Sequence, residues 1–317
     1  MPLVQISARN RAAPISADQA RAIQKAHQRL APEAPILIMV HGFKYAPDCP
    51  GHCPFDSLFA PQNHSAYTRS RSWPHALGLR PGRESATEPL CIGFGWQGRG
   101  ALHRVYRRAA QAGQALAGLI EDLAALAPGR RIDLMAHSMG ARVVLSALPR
   151  LRPGLLGTAI LMAGAEFRKP AEAALASPAG QSLQLINIIS RENWLFDYMF
   201  EWALAPHLWR SRSLGRGLGR GLIRGTAARV DLPIDDTAAL SALKSHGLTI
   251  APRQKRICHW SVYLRPGIFG LYRRLLLNPA LLPELHQSLR ANAQPTRRLQ
   301  WITSSWPPLP FGGKSTS

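Results

Sequence analysis

The chain has 317 residues and a mass of 34.7 kDa, room for one large domain or two small ones. With 46% hydrophobic and 18% charged residues, it has the composition of a protein that buries a core, which excludes a disordered chain. No repeat, heptad run or collagen-like period is present, so a solenoid, a coiled coil and a fibre are excluded too. Basic residues outnumber acidic ones 39 to 18, giving a formal net charge of +21 and a pI near 11.2. Such a charge proposes partners, nucleic acid or an anionic lipid surface among them, but it does not speak to fold or chemistry. An arginine-rich surface without any partner is the plainer reading.

Met1–Asn10 lacks the apolar core of a secretory signal. No run approaches the ~18 apolar residues that span a bilayer; the longest, Gly154–Ala165, reads as a buried strand with its flanks. Four cysteines are too few for a disulfide scaffold. A cytoplasmic, reduced protein is expected.

In chain order, Ser16 and Gln19 form a capping-box signature, and Ala17–Leu30 reads as a helix stopped by Pro32 and Pro35. Ile36–Val40 (ILIMV) is a continuous apolar run, as expected of a strand buried on both faces. Lys44–Glu88 is long and rich in Pro, Gly, His and Ser. It reads as a partly structured insertion near the mouth of a site. Leu90–Phe94 is a second strand, Gly98 and Gly100 a turn, and Ala101–Ala127 a long helix with an apolar stripe. Ile132–Ala136, Thr158–Ala163 and Leu183–Ile189 are further strands. Gly140–Leu148 and Trp194–Leu204 are helices. Arg210–Arg229 is an Arg/Gly-rich stretch. Asp235–His246, Pro266–Leu277 and Ala280–Leu289 are the last helices, and residues 301–317 form a loose tail. Strand–helix alternation with apolar strands predicts an α/β fold: a mostly parallel, doubly wound sheet with helices on both faces. No clean linker appears. One domain over residues 1–300 is expected, with the insertion at about 44–88 and a helical cap at about 205–245.

Ala136-His137-Ser138-Met139-Gly140 follows a predicted strand and opens a predicted helix. A serine at such a turn has its hydroxyl exposed above the sheet and a helix N-terminus behind it. Gly140 and Ala136 are small enough to let the turn close. Ser138 is therefore the candidate nucleophile, the alternative being a plain helix cap. Acyl transfer needs two backbone N–H donors for the developing oxyanion. Met139 would supply one. Phe43, in the His41-Gly42-Phe43 turn after ILIMV, would supply the other. His41, Gly42 and His137 flank these two turns and are the candidate substrate-binding residues.

Here the chain resembles the α/β-hydrolase superfamily. It is most similar to a poorly characterised serine-hydrolase-like branch with HGF after the first core strand, a Gly/Ser-Trp-x-x-x-Gly stretch after the next and a His-Ser-Met-Gly turn. These are His41-Gly42-Phe43, Gly95-Trp96-Gln97-Gly98-Arg99-Gly100 and His137-Ser138-Met139-Gly140. The resemblance covers roughly residues 36–277. It implies a triad in the order Ser, acid, His, and esterase-type chemistry on a small-molecule acyl substrate, with no cofactor. The superfamily places its base in a late loop before a closing helix, which points to His259 over His246 and His207. A histidine fits because its pKa lies near working pH. The acid should follow the strand LQLINII, where Glu192 and Asp197 are the leading candidates; Asp231, Asp235 and Asp236 stay open. The resemblance implies an aspartate near Asn193, and an asparagine orients a histidine but stabilises an imidazolium poorly.

Cys49 and Cys53, with His52 and His64, are an incomplete zinc set and read as free thiols, so no metal is expected. Cys91 and Cys258 read as packing residues. The Arg/Gly stretch lacks the interleaved aromatics of a base-stacking surface and matches no nucleic-acid motif; it reads as a cap loop, with docking on anionic lipid the alternative. The aromatics from Trp194 to Trp209 form either an acyl pocket or core. The sequence thus reads as a serine hydrolase of the esterase or lipase type. Its alternatives are a basic binding protein on a hydrolase scaffold and an acyltransferase using the same triad.

Overall fold

A computed structural model describes residues 2–8, 15–62, 70–79, 87–204, 217–221 and 228–292. Strands β1 (Leu3–Ser7), β2 (Ile36–Val40), β3 (Leu90–Gly95), β4 (Ile132–His137), β5 (Leu156–Met162), β6 (Gln184–Ile189) and β7 (Arg229–Pro233) build one sheet. Its order is β1-β3-β2-β4-β5-β6-β7, and every neighbouring pair is parallel. The helices are α1 (Ala17–Arg29), α2 (Trp73–Ala76), α3 (Leu102–Leu126), α4 (Gly140–Ala147), α5 (Arg168–Leu175), α6 (Pro178–Ser182), α7 (Trp194–Leu204), α8 (Thr237–Ser245), α9 (Ser261–Leu264), α10 (Ile268–Leu277) and α11 (Leu281–Asn292).

The apolar runs are continuous because both sheet faces are covered. In β2, Ile36, Ile38 and Val40 pack into one core with residues of α1, α3, α4 and α5. Leu37 and Met39, pointing the other way, join a second core with α2, α8, α10 and α11. A period-2 strand between two helical layers needs an apolar side chain at every position. At α1 the capping box forms as the sequence predicts: the Gln19 amide donates to Ser16 Oγ at 3.2 Å, and the Ser16 amide to Gln19 Oε1 at 2.9 Å.

Two edge strands are additions to the sequence reading. β1 falls within the N-terminal residues, and β7 within the stretch assigned to a cap. Residues 229–245 are thus an edge strand and a face-covering helix, because β7 pairs with β6 from Leu185–Arg229 to Ile189–Pro233. The described part of the 44–88 insertion also joins the core: Leu58, Phe59 and Trp73 are fully buried, with Phe59 edge-on to Trp73. Residues 63–69 and 80–86 of the insertion, most of the Arg/Gly stretch, His64, His207, Trp209 and the 301–317 tail lie outside the described residues. No helix among the described residues is long and apolar enough to cross a membrane.

Candidate active site

The strand order contains a switch point. From β2 the chain leaves towards β3, and from the adjacent β4 it leaves towards β5, on the other side. Crevices open at the C-terminal ends of such strand pairs. The two loops here carry Gly42-Phe43 and Ser138-Met139.

The two turns touch. A Cβ added at Gly42 would lie 2.8 Å from the His137 carbonyl oxygen and 2.9 Å from Ser138 Cβ. One added at Gly140 would lie 2.7 Å from the carbonyl oxygens of both Val40 and His41. Neither position has room for any other residue. Ser138 itself has φ 53°, a left-handed conformation unusual for a residue with a side chain. Its backbone is held on both sides: its amide donates to the Met162 carbonyl and its carbonyl accepts from the Ala165 amide, each at 2.9 Å. Among the described residues the Ser138 hydroxyl makes no hydrogen bond, and the amides of Phe43 and Met139 donate to no protein group. A serine hydroxyl and two spare amide donors thus lie on two turns that touch, the arrangement expected of an acyl-transfer site.

His259 enters from the loop before α9. Its ring lies 4.6 Å, centroid to centroid, from His137, the residue preceding Ser138, and Phe196 stacks on it at 4.7 Å. Its Nδ1 donates to Asn193 Oδ1 at 2.6 Å, and Asn193 Nδ2 donates to Asp197 Oδ1 at 2.7 Å. This chain fixes the tautomer. A carboxylate accepts only, so Asp197 takes the amide NH2, the amide oxygen faces the ring, and the proton belongs on Nδ1. Nε2 is left with a lone pair. Burial first, and then the Lys44 charge, push the His259 pKa down to about 4.

The partner of His259 is therefore Asn193, with Asp197 one step behind. Glu192 does something else. Its side chain forms a buried ion pair with Arg265 and accepts from the Lys255 amide at 2.8 Å, while its carbonyl accepts from the Cys258 amide at 2.8 Å. It clamps the loop that carries His259 without touching the ring. Burial would raise the Glu192 pKa, but the Lys255 amide, Ser261 and Arg265 together hold it below the usual range. The remaining carboxylates are also engaged elsewhere: Asp231 accepts from Asn187, Asp235 from Ser190 and the Arg191 amide, and Asp236 caps α8. His246 pairs with Ser288 at 2.9 Å.

Two of the candidate substrate-binding residues are framework. His41 is fully buried. Its Nε2 accepts from the Trp96 amide at 3.0 Å, its Nδ1 lies 2.9 Å from the Gly42 carbonyl, and its ring stacks on Trp96 at 5.4 Å. Since Nε2 accepts, Nδ1 carries the proton and donates. His137 is buried against His259 and Tyr263. Burial pushes the His41 pKa down to about 4 and His137 well below its ordinary value. Trp96, part of the Gly-Trp-x-x-x-Gly stretch, bridges β3 to the His41 turn: its amide donates to His41 Nε2 and its indole N–H to the His41 carbonyl. Cys49 and Cys53 are free thiols, and Cys91 and Cys258 are buried. The aromatics of α7 divide: Phe196 covers His259, Phe200 packs with Tyr106 and Phe167, and Trp202 is 63% exposed.

The parallel sheet, its two helical layers and the serine turn at the switch point define an α/β-hydrolase fold. Residues 16–154 match the model of a family described as alpha/beta hydrolase of unknown function (DUF900). That match contains the Gly42 and Ser138 turns and ends before Asn193, Asp197 and His259. No curated protein matches the chain. Among solved structures, the chain is similar to prolyl oligopeptidase B from Galerina marginata bound to a 35mer hydrolysis and macrocyclization substrate. The identity is 8% and the TM-score 0.29, over 83% of this chain and 34% of that one. The chain thus spans about a third of that enzyme's length.

Proposed function

We propose that this protein is a serine hydrolase that cleaves a carboxylic ester through an acyl-enzyme. Ser138 Oγ attacks the carbonyl carbon while His259 Nε2 takes its proton. The Phe43 and Met139 amides receive the oxyanion of the tetrahedral intermediate. Its collapse breaks the C–O bond, and His259 returns the proton to the departing alkoxide. Water then repeats the cycle on the acyl-enzyme and releases the acid. The single observation that carries this reading is the Asp197–Asn193–His259 chain, which leaves Nε2 as the acceptor beside the strained Ser138 turn. A histidine serving only as packing has no need of a fixed tautomer.

A fluorophosphonate probe tests it. The wild type should be labelled, and Ser138→Ala and His259→Ala should lose labelling by at least about 10³-fold in rate, the scale of triad deletions. Equal labelling of all three proteins would end the proposal, and so would a folded wild type that neither labels nor hydrolyses any ester in a panel of short and long acyl chains.

A further inference from the structure

At the start of α3 lies a depression of about 490 Å³ lined by Gly100, Ala101, Arg104, Arg107, Arg108 and Gln111. Its position follows from the backbone. The Lys44 amide donates to the Gly98 carbonyl, and the Gly98 amide to Tyr45, each at 2.9 Å. A Cβ at Gly98 would lie 2.9 Å from the Gly42 carbonyl oxygen. Gly98 is thus tied to the loop that follows the Gly42-Phe43 turn, and the depression opens two residues further on.

Every charged residue of the lining is an arginine. Residues 104, 107, 108 and 111 are spaced i, i+3, i+4 and i+7, so three arginines and a glutamine share one face of α3. No Asp or Glu lines the depression, and Arg104, Arg107 and Arg108 form no ion pair among the described residues. Arg108 is drawn in over the backbone: its guanidinium donates to the Arg99 carbonyl. Gly100, at φ 118°, leaves the space it occupies, since a Cβ there would lie 3.0 Å from Arg108 Nη2. Arg108 Nε and Arg99 Nη1 are buried with no hydrogen-bond partner. Ala101 gives α3 no side-chain cap, so its positive end faces the same space. Burial first, and then the neighbouring Arg104, push the Arg108 pKa down.

We infer that this arginine-lined depression is a binding site for a phosphoryl group carried by the substrate. Planar guanidinium forks match phosphate oxygens, and a dianion would supply acceptors for Arg104, Arg107 and the unpartnered Nε of Arg108. The inference rests on the serine-hydrolase reading for its second half, the claim that the bound group belongs to the substrate, and not for the first, that the site binds phosphate.

Two measurements separate these. Inorganic phosphate and pyrophosphate are titrated against the Ser138→Ala protein by calorimetry, at low and at physiological salt. The Arg104→Ala/Arg107→Ala pair should weaken pyrophosphate binding about tenfold or more, whereas Arg29→Gln, which removes the same kind of charge from α1, should not. In the second arm, kcat/KM is compared for a soluble acyl ester bearing a phosphate on its alcohol part and for its neutral hydroxyl counterpart. The phosphorylated ester should be preferred by about tenfold or more, with the difference in KM, and the preference should collapse in the Arg104/Arg107 pair. Replacing the soluble ester with phosphatidic acid vesicles tells a lipid headgroup from a free phosphate compound. No pyrophosphate binding, or binding equally weakened by Arg29→Gln, overturns the inference even if esters are hydrolysed. Pyrophosphate binding that depends on the two arginines, with no hydrolysis of either ester, keeps the phosphate site and sinks the serine-hydrolase reading instead.

Discussion

At Asn193 the neutral side chain has opposite consequences for geometry and for charge. Replacing a triad aspartate by asparagine costs about 10⁴-fold in kcat when the amide imposes the wrong tautomer on the histidine. Here the error is blocked, because Asp197 holds the NH2 and leaves the amide oxygen for His259 Nδ1. What the amide cannot do is stabilise an imidazolium. With no carboxylate on the ring, burial dominates and the His259 pKa falls to about 4. A general base works in its neutral form, so the acid limb of kcat/KM should lie near pH 4 rather than at the ordinary histidine value. Asp197→Ala should free the amide to turn over and lower kcat by about 10³-fold or more. Asn193→Asp/Asp197→Ala should recover most of that loss, since a carboxylate at 193 needs no partner to present an oxygen, and should move the acid limb up by about one unit or more. A double variant as impaired as Asp197→Ala would show that Asp197 matters for packing rather than for the ring.

At the scale of elements, the loop that carries His259 depends on Glu192. This residue meets the Lys255 amide and Arg265, and Arg265 in turn donates to the Ile234 carbonyl at 2.6 Å. Both ion-pair partners are buried, 1% and 2% exposed at their side chains. Breaking such a pair leaves a buried charge unmatched and costs about 3–5 kcal/mol. Glu192→Gln should therefore lower the urea midpoint strongly, and Glu192→Gln/Arg265→Met should regain part of the loss. A single variant as stable as wild type would remove the clamp from the account. This division of labour among Arg191, Glu192 and Asn193 marks the limit of what the sequence reveals. The three lie in one 3-10 turn, where successive side chains point about 120° apart. Which of them meets His259 depends on that turn's rotation, and no pattern in the residues records it. The same limit explains the strands. The five central ones are legible because burial on both faces makes them mostly apolar. β1 and β7 lie at the edges and alternate in burial along their five residues, too briefly to separate from a loop. Ser138 and the Gly42 turn are legible for the opposite reason: contact between the two turns excludes all but glycine at positions 42 and 140.

Across the whole molecule, acid should be the weak side of stability, and the histidines around the site decide it. His41 and His259 have pKa values of about 4, and His137 is pushed well below its ordinary value. All three are neutral when folded, while the unfolded chain takes up a proton on each near pH 6.5. The folded pKa is the lower one, so this stability is fully present above about pH 6.5 and is lost as pH falls towards 4, by roughly 3 kcal/mol each for His41 and His259 at the lower end, with His137 acting in the same direction. Glu192, held below its usual range, loses its contribution in the same direction as it protonates. Asp133 opposes them. Burial raises its pKa to about 6, so it favours the folded state at low pH and loses that contribution as pH rises through 6. Asp235, whose pKa burial also raises, acts in the same sense, but two carboxyls stand against three histidines, and each added proton also enlarges a charge that is already +21. The melting temperature should therefore be nearly flat from pH 8 to 7 and drop steeply between pH 6.5 and 4. His41→Gln, which keeps an acceptor within reach of the Trp96 amide, should make the drop shallower. A melting temperature that holds down to pH 4.5 would mean that these rings are not desolvated as their burial indicates. The low acid limb expected for catalysis would then have to be withdrawn with it.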